Sequence, residues 1–329
     1  MKNPRLITAF KILFILGIFI ILLLNLDITE LYQNLENIAW PWFSIVVFIA
    51  FLDQVIMGLK WNILLNTFNI HVPWIAPVLA YLRGKIFKLT APSTLGIDAY
   101  KTYFLRNHYH CSTTAVATTI IIERFFGAVS SLLIICLLLY FSIPEFLPQL
   151  SDMVIILSVL GSISIFILVF LCIDFAQYLK PLNLPHWLPK FIIKGVRAIT
   201  GNLHIIQKKP AKIWLYFILS TGEKISYGSA IYFAAYAMGY HELNYLYIIS
   251  ATPLMALLER LPVSISGIGL REGFMVLLLS PAGLGVTPAI SIALVVRFAE
   301  IVLIILLAGV WFIKKDPEDI NIGISDKSN

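Results

Sequence analysis

The chain has 329 residues, of which 59% are hydrophobic and 13% charged, with a mean hydropathy of +0.89. Soluble domains carry about 25% charged residues, so the composition excludes them and describes an all-α polytopic membrane protein. The net charge of +6 then reads as positive-inside bias and contact with anionic lipid head groups, not as nucleic-acid binding. Cys111, Cys136 and Cys172 are widely spaced and form no disulfide or metal pattern. No cofactor is implied.

Lys2, Arg5 and Lys11 precede an apolar run at 12–24. No small-residue cleavage site follows, so the run is expected to be a first span and not a removed leader. The connector at 27–40 has acids and no Lys or Arg, which puts it outside. A second span is expected at 42–65, with Asp53 and Lys60 on one helical face and Met57 between them.

The stretch at 74–90 is too short and too charged for a lipid-facing span. Its Arg83, Lys85 and Lys88 either serve a site within this stretch or form a solvated basic face meeting lipid head groups. It leads into Pro92, Gly96, Asp98, Lys101 and Arg106. The span expected at 113–141 carries Glu123-Arg124, and Thr119, Glu123, Gly127 and Ser130 recur at helical spacing, so one face is not meant for lipid. As sequence neighbours, Glu123 and Arg124 point in different directions and should meet partners on other helices.

A span at 153–172 returns the chain to a linker, 174–212, that has Lys180, Lys190, Lys194, Arg197, Lys208, Lys209 and Lys212 against Asp174. That linker is cytoplasmic, and 188–207 within it reads as a basic surface helix. Spans at 213–238, with Glu223-Lys224, and at 288–313, with Arg297 and Glu300, complete about six. Lys314-Lys315 open a polar cytoplasmic tail, 314–329.

Between the last two spans lies 253–274, where Glu259-Arg260 and Arg271-Glu272 flank Pro262, Gly267 and Gly269. Proline removes a donor and the glycines favour non-helical backbone, so no single spanning helix fits. Such backbone survives at membrane depth only when buried in protein or lining a wet cavity. The charge arithmetic makes 242–287 start and end outside and 67–111 start and end inside. Two re-entrant hairpins, about 74–106 and 245–283, satisfy it; pairs of short spans also would. The chain then divides into inverted halves, 1–149 and 150–313. Pro92 to Asp98 echoes Pro262 to Gly269, Asp53 matches Glu223, and Glu123-Arg124 matches Arg297 with Glu300. Inverted repeats with broken helices are a transporter signature.

In this order, Pro92-x-x-x-Gly96-x-Asp98-x-x-Lys101, Glu123-Arg124 with Gly127, and Leu261-Pro262 to Gly267-Ile-Gly269-Leu-Arg271-Glu272-Gly273 resemble the flippase-like family of the lysylphosphatidylglycerol synthase transmembrane region. The resemblance covers roughly 7–313. Where that family often has Gly-Gly-Asp followed by Arg, this chain has Gly96-Ile97-Asp98 and Lys101, which keeps the charge and loses the bidentate fork. No counterpart of the aminoacyl-transferase domain of bifunctional members follows. The resemblance therefore implies moving a lipid between leaflets of the cytoplasmic membrane and does not imply aminoacylating it, while the charge pattern is expected to place both termini in the cytoplasm.

On this reading the candidate substrate-binding residues are Arg271, Glu272, Asp98, Lys101, Gly267, Gly269 and Gly96. Arg271 would bind a lipid phosphate beside free N–H groups of the Gly267–Gly269 turn, and Glu272 would orient Arg271 or carry a coupling proton. The intramembrane charges Glu123, Arg124, Glu223, Arg297, Glu300 and Asp53 line the interior or serve as structural ion pairs. Partners are membrane lipids, anionic or phosphate-bearing, and a lipid-modifying enzyme. Two rival functions are a membrane enzyme on lipid phosphates, which would want clustered acids for Mg²⁺, and a lipid-binding scaffold. No catalytic residue and no metal site is assigned.

Overall fold

The computed structural model describes residues 27–88, 95–146, 161, 163, 205–259 and 269–313. The expected spans at 12–24 and 153–172 (apart from 161 and 163), most of the basic linker, both hairpin tips with Gly267, and the tail lie outside the described residues. The elements are α1 (Ile28–Glu36), α2 (Trp40–Thr67), α3 (Ile75–Lys88), α4 (Leu95–Tyr109), α5 (Thr113–Phe146), α6 (Pro210–Ala237), α7 (Tyr245–Glu259), α8 (Leu270–Leu279), a 3₁₀ turn (Ser280–Ala282) and α9 (Val286–Ile313).

Three described helical stretches are long and apolar enough to cross a membrane: Trp40–Thr67, Thr113–Ile135 and Val286–Leu307. α6 equals α2 at 28 residues but carries Glu223-Lys224 in its middle, both turned inward and buried. α3, α4, α7 and α8 have 14, 15, 15 and 10 residues. At 1.5 Å per residue, none reaches the roughly 30 Å of a hydrocarbon core.

The bundle is built on α2 and α6, which pack along their whole length in opposite directions. At one end the Ala39 N–H donates to the Ala237 carbonyl at 2.8 Å. At the other, Lys209 Nζ donates to the Thr67 carbonyl at 2.8 Å and to Asn69 Oδ1 at 2.9 Å. The last carbonyls of a helix have no partner within it, so this lysine satisfies them and complements the dipole. Both helices stop on a residue of positive φ, Asn69 at 59° and Gly239 at 88°. Bonds from Ile70 N–H to Leu65 and from Tyr240 N–H to Ala235 close the two ends in the same way.

α5 begins beside the finishing end of α2, where Trp61 Nε1 donates to Thr119 Oγ1 at 3.1 Å. α9 begins at the opposite end, where the Asp27 N–H donates to Thr287 Oγ1 at 3.0 Å. Two apolar cores result. One joins Trp61, Tyr81, Phe104, Phe126 and Tyr216; the other joins Phe43, Ala234, Tyr247, Met275 and Val296. The inward charges of α2 and α6 lie between them.

The sequence reading treats 27–40 as a connector, whereas α1 occupies most of it. Asp27 Oδ1 accepts from the N–H groups of Thr29 and Glu30 at 2.8 and 3.1 Å, which caps the helix.

Two described glycines let backbones approach closely. A Cβ on Gly58 would stand 2.5 Å from the Val78 Cα; one on Gly228 would stand 3.0 Å from the Ile249 Cα. Gly58→Ala is therefore expected to force α2 and α3 apart and to cost about 1–3 kcal/mol, with Gly228→Ala costing less. Thermal unfolding in detergent checks this; equal melting temperatures for the two variants would contradict the difference in contact.

Candidate functional site

The second short helix of each pair presents one acid and one base near its start, and the long helix that follows answers with the opposite pair. In the first half, Asp98 falls in the first turn of α4, where a carboxylate complements the helix dipole, and Lys101 lies one turn on. α5 supplies Glu123 and Arg124. Lys101 Nζ donates to Glu123 Oε2 at 2.7 Å and stands 3.8 Å from Asp98, while Arg124 Nε donates to Asp98 at 2.8 Å. Tyr81 of α3 closes the set: its hydroxyl donates to Glu123 and accepts from Lys101 at 2.7 Å. The Lys101 ammonium also lies 4.1 Å from the Tyr81 ring and 4.2 Å from Trp61, a favourable seat for a desolvated cation.

In the second half, α8 starts after Gly269, whose φ of 80° suits a residue without Cβ. Glu272 reaches back so that Oε2 accepts from the Gly269 N–H at 2.7 Å, and its Oε1 accepts from Arg297 Nη2 at 2.9 Å. Arg271 Nη1 donates to Glu300 Oε2 at 3.3 Å. Two expectations change here. The acid held by Arg271 is Glu300, because a helix turns neighbouring side chains about 100° apart and Glu272 is engaged as a cap. The Gly269 N–H, expected to be free for phosphate, is taken by that same carboxylate.

Between these sets lies a central cluster. Glu223 accepts from Lys224 at 2.6 Å and from Lys60, and Lys60 stands 5.4 Å from the Tyr216 ring. Lys85 of α3 approaches Glu300 at 3.7 Å, so Glu300 touches cations from both short-helix pairs. Relative exposures of 0% for Lys101, 1% for Lys60 and Lys224, and 2% for Arg271 leave these cations to the protein's own carboxylates. Such desolvated pairs are held by geometry and by every remaining hydrogen bond, and breaking one is costly.

Of the sequence candidates, Asp98, Lys101, Glu123 and Arg124 come together, as do Arg271, Glu272, Arg297 and Glu300. Glu223 joins Lys60 and Lys224, and Asp53 faces that cluster. Gly96 is buried in the first turns of α4. Lys85, for which a solvated basic face is one of the two sequence readings, is 3% exposed and belongs to the interior. Tyr81, four residues before Lys85 on the same helical face, is the signal that finds it. Met57, Lys60, Tyr81, Ile97, Asp98, Glu123 and Arg124 line a recess of about 60 Å³. That volume holds a few waters, far below the roughly 300 Å³ or more of a ligand pocket.

Comparison with known proteins adds three findings. A family described as the lysylphosphatidylglycerol synthase TM region matches residues 8–308. An uncharacterized protein of Mycoplasma pneumoniae, an MG306 homolog, is 26% identical over 83 residues, which is 24% of this chain and 20% of that protein. The chain thus spans about a fifth of the length of that curated relative. No solved structure matches.

Proposed function

Since the chain belongs to the family of the lysylphosphatidylglycerol synthase transmembrane region, a family of membrane proteins linked to lipid handling, we propose that it moves an anionic phospholipid or a polyprenyl-phosphate-linked lipid between leaflets by alternating access. The observation that carries this reading is the pair of crossed ion-pair sets, Asp98/Lys101 with Glu123/Arg124 and Glu272/Arg271 with Arg297/Glu300. Each set holds a buried cation on a carboxylate that a lipid phosphate can replace, oxygen for oxygen.

The alternating-access part rests on reading the two halves as an inverted repeat. One constant shift in numbering takes Asp53 to Glu223 and Gly58 to Gly228 within α2 and α6, Asn69 to Gly239 just past their ends, and Lys101 in α4 to Arg271 in α8. α2 and α6 run in opposite directions, as inverted halves require. The short helices fit re-entrant hairpins, each entered and left at one end of the bundle. In the closed arrangement the recess beside Lys60 and Arg124 is too small for a head group. Entry of a phosphate would trade Glu123 or Glu300 for the ligand and release one hairpin from its long helix, opening one side while the other stays paired.

The test is translocation of labelled phosphatidylglycerol and of a polyprenyl phosphate in reconstituted vesicles. Faster movement than in protein-free vesicles is expected; the protein-free rate for every phosphate lipid would overturn the reading. Orientation has its own check. In a cysteine-free background, Asn69→Cys should react with a water-soluble maleimide from the cytoplasmic side and His241→Cys from outside; reaction of both from one side would contradict the inversion. Native Cys111 must be removed first, although burial pushes its thiol up and slows its reaction.

A further inference from the structure

Asp98, Glu123, Glu223, Glu272 and Glu300 each hold a lysine or arginine. Asp53 differs. Among the described residues its carboxylate holds no ion pair; Oδ2 accepts only from the side-chain amide of Gln54, at 2.8 Å. Yet it faces the central cluster from the same helical face as Lys60. Glu223 and Lys224 face it from α6, Lys85 from α3 and Lys60 from its own helix, all within electrostatic reach. The other helices packed on α2 bring Glu123 and Arg124 on α5, and Arg297 and Glu300 on α9.

A carboxylate clasped by a cation resists protonation, because the proton strands the cation in a dry interior. A carboxylate held by a neutral amide keeps that hydrogen bond in either form, since an amide N–H donates to an oxygen of the acid as well as of the anion. Among the interior acids described, only Asp53 meets this condition.

We infer that Asp53 is a proton-binding site, which takes up one proton as an anionic head group enters the interior. This rests on the proposed transport of an anionic lipid. With the interior empty, burial and the Glu223 carboxylate oppose the ionised form of Asp53, and Lys85, Lys224 and Lys60 hold against them. A phosphate brought to those lysines cancels their field and adds a like charge, so Asp53 binds its proton more tightly. Linkage is reciprocal, and the protonated protein binds the anion more tightly in turn. The proton therefore travels with the lipid, and one negative charge fewer crosses the membrane in each transfer.

The experiment is infrared difference spectroscopy of the full chain in vesicles during a pH titration, with and without phosphatidylglycerol. Wild type should show a carboxylic-acid C=O band whose midpoint rises by roughly one pH unit with the lipid. Asp53→Asn should lack the band, and Asp53→Glu should keep it at a shifted frequency. If Asp53→Asn does not give a monodisperse size-exclusion peak, Asp53→Glu decides alone. A band that survives Asp53→Asn, an unchanged frequency in Asp53→Glu, or a midpoint indifferent to the lipid overturns the inference. In parallel, a pH gradient should speed movement of labelled phosphatidylglycerol by wild type and not by Asp53→Asn; an equal response of both also overturns it. If wild type moves no lipid, the transport reading falls, and the infrared band still decides whether Asp53 binds the proton.

Discussion

Arg271→Ala is expected to bring lipid translocation in reconstituted vesicles close to the protein-free rate while the protein keeps its size-exclusion profile. Both parts follow from Glu300. That carboxylate lies 3.3 Å from Arg271 and 3.7 Å from Lys85, so loss of the guanidinium leaves it a cation and the fold is spared an orphaned charge. The lipid has no such substitute. A phosphate in the second half would lose its planar donor, and charge-assisted bonds are each worth about 1.5–3 kcal/mol, or roughly tenfold to a hundredfold in rate. Arg271→Lys should fall between, because an ammonium restores the charge without the fork. Wild-type rates in monodisperse Arg271→Ala protein would refute the site.

Lys101→Met is expected to act on the fold more than on transport. Its ammonium is wholly buried and joins Glu123, Asp98 and the Tyr81 hydroxyl. Removing it leaves Glu123 ionised without its cation, at a cost of about 3–5 kcal/mol. Glu123→Leu should cost a comparable amount for the reciprocal reason. The double variant Lys101→Met/Glu123→Leu should recover much of the loss, since both charges leave together and apolar volume replaces them. Thermal unfolding of the four proteins completes the cycle, and strictly additive losses would show that the two side chains do not act as a pair.

Long apolar runs were legible because hydropathy and length act locally. α2, α5, α6 and α9 begin within three residues of their expected positions. The interior charges were also legible as charges, since an ionisable residue inside such a run has few places to face. Their partners were not. Glu300 is chosen by Arg271 and Lys85 through packing of elements far apart in sequence, and nothing near residue 271 announces it. The adjacent Glu272 was the natural local guess, and its role as a cap depends on the positive φ of Gly269, which residue type permits without requiring. Lys85 misled for a related reason. In the run Arg83, Lys85, Lys88 it resembles a solvated face, yet its neighbour Arg83 lies partly exposed over Phe104 while Lys85 turns to the interior. α1 escaped notice because it has only nine residues, and its acids without Lys or Arg read as a connector.

The Lys60–Glu223 pair spans 163 positions of the chain, which bears on how the protein is made. When α2 leaves the ribosome and enters the bilayer, Glu223 has not yet been synthesised. Lys60 must then wait in or near lipid without its carboxylate, a residue that insertion measurements place at about 2.5–3.5 kcal/mol near a helix centre. Its position seven residues from the end of α2 lets the long stem reach toward the head groups meanwhile. Assembly is thereby deferred: the first half can be inserted early but reaches its final depth only when α6 arrives. A nascent chain stopped before α6 should leave Lys60 open to aqueous amine reagents, whereas one released after α6 should protect it.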